Sequence, residues 1–257
     1  MCRHLGYLGP AVPVSEPITR GPHSLRVQSW APREMRGGGT INADGFGVAW
    51  WPAQAPGDTD ALDAQDVEPT RYRNAAPIWT DPAVDDVLSQ IEATAVLGAV
   101  RSATVGMPVE RTACAPFTSG RLAFSHNGVV PDWRAVCAAV SKEVGGVDPF
   151  ELEASTDSAA LWLLVRALLE RGADPSEALT EVVRRVVAER SEARANLLLG
   201  DGEQLWATTC YHSLSVLVDD TSAVVSSEPY DDDPRWQPID DRSVVTVRPG
   251  HVAIESL

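Results

Sequence analysis

Positive charge is scarce in this chain: 21 Lys and Arg stand against 36 Asp and Glu over 257 residues, giving a formal charge of −15 and a pI near 4.7. Binding to nucleic acid or to an anionic membrane surface rests on clustered Lys and Arg, and with no such cluster in the sequence neither partner is expected. Long apolar runs are missing too. No stretch approaches the roughly 18 apolar residues of a spanning helix, and the opening residues lack a basic segment followed by an apolar one, so membrane insertion and secretion are not expected. Cysteine is sparse: Cys2, Cys114, Cys137 and Cys210 are widely separated and form no CxxC pair. That argues against a zinc knuckle and a disulfide framework, and it suits a reducing, cytoplasmic compartment. The five histidines, His4, His23, His126, His212 and His251, do not fall at a ligand spacing such as HExxH, so no metal and no cofactor is expected. The glycine cluster at 37–39 has neither the GxxxxGK[ST] pattern nor the strand, GxGxxG and helix order, which sets nucleotide binding aside.

What the sequence does contain is ample apolar residue, 44% of the chain, for a large core, and residues 1–257 are read as a single domain. Strand-like alternation or short apolar runs occur at 2–9, 45–51, 95–100 and 121–125, and again at 195–199, 204–209, 213–218, 223–227 and 243–247. Residues 10–22 are proline-rich and read as an irregular or short helical connection, 24–30 as an extended segment, and 52–70 as a solvated excursion. Helical spacing is seen at 81–93, with Val84, Val87, Leu88 and Ile91 on one side, and at 132–144, with Trp133, Val136, Cys137 and Val140 inward. A further helix has Ser155 or Thr156 as its N-cap, a stripe of Leu161, Leu164, Val165 and Leu168, and Gly172 as its stop. Pro175 opens the last, with Ala178, Val182, Val183 and Val186 inward. Strands, then helices, then strands predict mixed α+β layers rather than a doubly wound sheet.

The chemistry is concentrated at strand and helix ends. Cys2 follows the initiator Met, whose removal during synthesis would leave one residue carrying both a thiol and a free α-amine. A thiolate is the attacking species, and an α-amine with a pKa of about 7.7 to 8.0 is suited to take its proton. Arg101 closes the strand at 95–100 and offers a planar fork matched to a carboxylate. Asp157 can accept hydrogen bonds from an ammonium group. The Asn127 amide and Gly128 N–H can donate to a developing oxyanion. Together they suit a γ-glutamyl amide, whose head bears one carboxylate and one ammonium. Taken singly, each has a plain alternative: Cys2 a small buried hydrophobe, Arg101 a surface ion-pair partner, Asp157 a first-turn acid, Asn127-Gly128 an ordinary turn.

The segments MCRHLGYLG, NADGFGVAW, RSATVGMPVE, FSHNGVV and STDS, in this order, resemble the class II glutamine amidotransferases, N-terminal-nucleophile hydrolases with a four-layer αββα sandwich. The resemblance runs through the whole chain. It implies Cys2 as nucleophile, Asn127 and Gly128 as oxyanion hole, and Arg101 and Asp157 as binders of the glutamyl head, with Ser102 and Thr104 beside Arg101. The segments QSWAPR, ACAPF, AFSHNG and SSEPYDDDPRW are most similar to the family's ergothioneine-biosynthesis branch, which implies hydrolytic release of glutamate from a small-molecule γ-glutamyl substrate. The leaving portion then carries a trimethylammonium group, best held by aromatic faces, with Trp30 the first candidate and Tyr211 with His212 the second. The larger synthase-linked members carry Trp and His where this chain has Ser102 and Val105. With no synthase domain in the sequence, a stand-alone hydrolase without an obligate protein partner is favoured. The alternatives are a glutaminase subunit feeding ammonia to a separate synthase, and a catalytically inactive scaffold.

Overall fold

The computed structural model describes residues 2–37, 41–53 and 67–257. Met1, residues 38–40 of the glycine cluster and residues 54–66 of the expected excursion lie outside them. The strands are β1 (Arg3–Pro13), β2 (Phe46–Pro52), β3 (Thr70–Asn74), β4 (Glu92–Val100), β5 (Phe117–Ser119), β6 (Leu122–Val129), β7 (Arg194–Gly200), β8 (Leu205–Thr208), β9 (Ser215–Val218), β10 (Ala223–Ser226), β11 (Gln237–Pro238), β12 (Ser243–Arg248) and β13 (His251–Ser256). The helices are α1 (Ser15–Thr19), α2 (Leu25–Gln28), α3 (Ala83–Asp86), α4 (Trp133–Glu143), α5 (Asp157–Leu169) and α6 (Pro175–Glu189).

Period-two alternation sorts the strands into two antiparallel sheets, ordered β11-β9-β10-β1-β4-β2-β3 and β13-β12-β8-β7-β6-β5. Their facing sides bury Leu8, Ala49, Trp51, Leu97, Ala123, Leu198 and Val245 between them. The outer face of the second sheet is covered by α4, α5 and α6, with Phe124, Leu197 and Leu199 packed against Trp133, Leu161, Leu164 and Val182. The outer face of the first buries Leu5, Tyr7, Val48 and Val96 under α1, α2 and the 3-10 turns near α3. This is the expected four-layer αββα sandwich. Trp50 and Trp51 face opposite layers, and both are buried. Among the described residues no helix is long and apolar enough to cross a membrane.

The helical layer follows the sequence pattern closely. Thr156 caps α5, its side chain accepting the Ala159 N–H, while Asp174 caps α6 ahead of Pro175. The inward row of α6, Ala178, Val182, Val183 and Val186, is fully enclosed, and each valine so buried stabilises by roughly 1.5 to 3 kcal/mol.

Four short segments differ from the sequence reading. Residues 24–30 are not extended: Ser24 accepts the Val27 N–H and nucleates α2, which at four residues is too short for its period to be told from alternation. Residues 81–93 form α3, a 3-10 turn (Leu88–Gln90) and the start of β4 rather than one helix. Val87, at the break, is 53% exposed rather than inward. The first strand runs past residue 9 to Pro13, its register shifting between Leu8 and Val12. The strand at 121–125 continues through Asn127 and Gly128 to Val129, so this pair is not a turn but a ladder position opposite Asn196 and Ala195.

Candidate active site

Cys2 leads directly into β1, which lies inside the first sheet between β10 and β4. Leu5 and Tyr7 point to the outer layer while Leu8 points to the facing sheet, so alternation puts Cys2 and His4 on the inner face. In β6, Phe124 faces the helices and Ala123 the facing sheet, which places Ser125 and Asn127 on the inner face as well. The two inner faces meet where His4 Nδ1 and Ser125 Oγ lie 3.3 Å apart. Cys2 and Asn127 therefore come from opposed faces of two rigid sheets.

Of the four thiols, Cys2 is the half-buried one and the others are fully enclosed. Burial pushes Cys114 up to about 11 and Cys137 up to about 12, and raises Cys210 as well. Buried, protonated thiols of this kind are inert, which leaves Cys2 as the reachable nucleophile. It shares a narrow cleft with Arg101, Ser125, His126 and Ser158. Larger grooves exist, one on the α4–α5 surface whose thiol is the buried Cys137 and one beside Asp231 and Trp236 with no thiol in its lining.

Asn127 is 1% exposed, and neither its Oδ1 nor its Nδ2 has a hydrogen-bond partner among the described residues. A buried amide in that condition is expensive, and it is what a donor reserved for a ligand looks like. The next residue must be glycine for want of room: a Cβ on Gly128 would lie 1.9 Å from the Arg194 carbonyl oxygen. His126 points the other way, its Nε2–H donating to the Arg194 carbonyl at 2.9 Å and its Nδ1 accepting from Ser158 Oγ at 3.0 Å.

Arg101 is held at the end of β4 by the NADGFG turn. Its N–H donates to the Gly45 carbonyl at 2.8 Å, its carbonyl accepts from the Asp44 N–H at 2.9 Å, and Asp44 Oδ2 accepts from the Ala103 N–H at 2.7 Å. Gly45 adopts φ 119°, and a Cβ there would strike Cys114 Sγ. The guanidinium donates through Nη1 to the Pro108 carbonyl at 2.8 Å and to that of Asp44 at 3.5 Å. Among the described residues these are its side-chain hydrogen bonds, and both are made by Nη1. Asp157 opens α5, with Oδ2 accepting the Val130 N–H at 2.9 Å and Oδ1 the Ser158 N–H at 2.8 Å. It thereby links the first turn of α5 to the end of the Asn127 strand, with Ser158 in the cleft.

The remaining expected residues are less central. Ser102 is half-buried, and Thr104 is exposed in a turn where its carbonyl accepts the Met107 N–H at 2.9 Å. Trp30 does not line the cleft; it is 42% exposed and stands edge-to-face on Trp79 with ring centroids 5.5 Å apart. Asp44, Ser125 and Ser158 were missed by sequence reasoning, although Asp44 sits in a segment singled out for its motif. His4 was passed over because a lone histidine in a strand carries no ligand spacing. Among the described residues no group of three or more His, Cys, Asp or Glu is arranged to hold a metal.

This fold, with a cysteine-led strand inside one sheet and an unpartnered asparagine amide in the other, agrees with the family comparison: residues 21–218 match the glutamine amidotransferases class-II. The chain belongs to that family. Over 257 residues it is 39% identical to the γ-glutamyl-hercynylcysteine sulfoxide hydrolase of Mycobacterium tuberculosis (strain CDC 1551 / Oshkosh), covering all of this chain and 97% of the relative. The protein of the same name from Mycolicibacterium smegmatis is 37% identical over 259 residues, with both chains fully covered. A solved structure of a glutamine aminotransferase class-II domain protein from Silicibacter pomeroyi superposes with a TM-score of 0.65 at 22% identity, covering 99% of each chain.

Proposed function

We propose that this protein hydrolyses the γ-glutamyl amide bond of γ-glutamyl-hercynylcysteine S-oxide, releasing glutamate and hercynylcysteine S-oxide in ergothioneine biosynthesis. After loss of Met1, the α-amine of Cys2 takes the thiol proton and the thiolate attacks the γ-carbonyl carbon. The oxyanion is met by Asn127 Nδ2 and the Gly128 N–H. As the tetrahedral species collapses, the α-ammonium returns its proton to the departing nitrogen, the C–N bond breaks and a γ-glutamyl thioester remains on Cys2. Water, deprotonated by the same amine, attacks the thioester and frees glutamate. Arg101, flanked by Ser102 and Thr104, takes the α-carboxylate of the glutamyl head and Asp157 its ammonium, while the exposed ring of Trp30 takes the trimethylammonium of the leaving group.

The observation that carries this reading is an enclosed Asn127 whose amide has no partner among the described residues, on the same inner face as Ser125, which lines the cleft with Cys2 and Arg101. Full-length similarity to two hydrolases of that name supports the choice of substrate. Four free cysteines and the acidic charge suit a cytoplasmic enzyme, with residues 1–257 acting as one domain that needs no obligate protein partner. The test is to supply γ-glutamyl-hercynylcysteine S-oxide and glutamine separately and follow glutamate release. Faster release from the sulfoxide supports the proposal. Faster release from glutamine would move the assignment to an ammonia-supplying glutaminase.

A further inference from the structure

The turn between β8 and β9 holds an unusual aromatic. Tyr211 has φ 91°, beyond the left-handed helical range in which Asp132 at 52° and Arg242 at 62° sit, and a bulky side chain adopts such a backbone only where its surroundings enforce it. Enforcement is visible. Asn196 Oδ1 accepts the N–H groups of Cys210 at 2.9 Å and His212 at 3.1 Å, and its Nδ2 donates to the His212 carbonyl at 2.9 Å. Asp241 Oδ1 accepts the Tyr211 N–H at 2.6 Å, so one oxygen of that carboxylate is held by the turn's backbone. Asn196 is also the register partner of Asn127 across β6 and β7, which ties this turn to the strand of the proposed oxyanion donor.

Two guanidinium groups and a neutral imidazole surround one ring. The Arg194 guanidinium lies over the Tyr211 ring at 4.2 Å, Arg36 Nη1 donates to the Tyr211 carbonyl at 2.9 Å, and the His212 ring stands on edge to it at 5.0 Å. His212 is 3% exposed and its Nε2 has no partner among the described residues. The cluster borders the nucleophile's strand: Ser213 Oγ, next to His212, donates to the Ser227 carbonyl at 2.8 Å, and Ser227 Oγ accepts the N–H of His4, two positions after Cys2, at 3.0 Å. Arg3 meets Glu228 at 3.3 Å, whose carboxylate accepts the N–H groups of Arg33 and Glu34 and so fixes the segment leading to Arg36 beside this strand.

We propose that Tyr211, His212 and Arg36 form the leaving-group subsite, and that its ligand is the carboxylate on the carbon attached to the scissile nitrogen. His212 Nε2–H and the Arg36 guanidinium donate to that carboxylate, and the Tyr211 ring walls it. The inference rests on the γ-glutamyl amidase reading and sharpens it: the preferred substrates are γ-glutamyl amides of α-amino acids. A quaternary ammonium is repelled here, so that part of the leaving group lies elsewhere.

The experiment compares kcat/KM for γ-glutamyl-hercynylcysteine S-oxide with that for the amide of the same leaving group lacking this carboxylate. The wild-type protein prefers the carboxylate-bearing amide at least tenfold, and in His212→Ala the ratio falls to within threefold of unity. Should His212→Ala fail to fold, Arg36→Gln, a change at an exposed side chain, decides by the same ratio. A ratio unchanged by the substitution overturns the subsite. Wild-type protein that hydrolyses both amides without preference also overturns it while leaving the amidase reading intact, whereas hydrolysis of neither removes both.

Discussion

Replacing Asn127 with leucine separates stability from catalysis. The side chain is 1% exposed and both of its polar atoms lack partners among the described residues. A buried polar group in that condition costs about 1 to 3 kcal/mol, and an apolar residue of similar shape relieves the cost. Asn127→Leu should therefore be more stable by about 1 to 3 kcal/mol, a rise in Tm of roughly 2 to 4 °C per kcal/mol at this chain length. Leucine cannot donate to an oxyanion, and losing one such donor lowers kcat by about 10² to 10³, or roughly 2.7 to 4 kcal/mol. Calorimetric melting and single-turnover glutamate release, measured on one preparation, give both numbers. The reasoning fails if the variant melts below the wild type or if its turnover stays within tenfold.

Other expectations follow from the same geometry. Cys2→Ala abolishes turnover with the fold intact and Cys2→Ser keeps little, while mass spectrometry finds the active chain without Met1; substantial turnover by Cys2→Ala would sink the mechanism. Arg101→Lys loses the fork and should weaken kcat/KM by about 2 to 5 kcal/mol for γ-glutamyl amides; equal wild-type rates on glutaryl and γ-glutamyl amides would remove the head-binding roles. Trp30→Leu should raise KM for the sulfoxide substrate several-fold, from a cation–π contribution of about 0.5 to 2 kcal/mol, with plain γ-glutamyl anilides little changed; equal effects on both would make Trp30 scaffold. His4 and His212 are each driven down to about 3, chiefly by burial, whereas unfolded they titrate near 6.5. The unfolded chain then binds the extra protons between those values, so stability is complete above about pH 6.5 and is lost as pH falls toward 3, by up to about 1.4 kcal/mol per unit for each ring. Urea midpoints at pH 7, 5.5 and 4.5 should fall accordingly, less steeply in His212→Gln; an equal slope in that variant would contradict it.

The helical layer was legible because its signals are local. Thr156, Pro175 and the valine row of α6 specify caps and a buried face without reference to the rest of the chain. Strand identity came through for the same reason at Leu97 and Leu198, where apolar runs are continuous. Pairing did not: that β1 lies between β10 and β4 depends on partners over a hundred residues away. The site divides likewise. Cys2, Arg101, Asn127 and Asp157 were singled out through residue type and motif, and the structure brings Cys2 and Arg101, but not Asn127 or Asp157, into one cleft. The reading of Asn127-Gly128 as the end of a strand was off because short polar residues usually terminate strands, and only the unsatisfied amide reveals why one is tolerated in a ladder. Tyr211 and His212 were singled out as a turn, but the strained backbone there was out of reach, as was the role of Asp44, whose hydrogen-bond partner Ala103 lies 59 residues away.

A chain's first residues ordinarily fray and can be clipped without disturbing the remainder. Here Arg3 pairs with Val100, Leu5 with Gly98 on one side and Ser226 on the other, and the His4 N–H donates to Ser227 Oγ at 3.0 Å. The thiol is thus mounted on one of the last elements able to come loose. With both edges of β1 paired, release of the terminus requires opening of the sheet, so heat inactivation should run at the global unfolding rate, and the Leu5 and Tyr7 amides should exchange with deuterium as slowly as those of Leu97 and Val225.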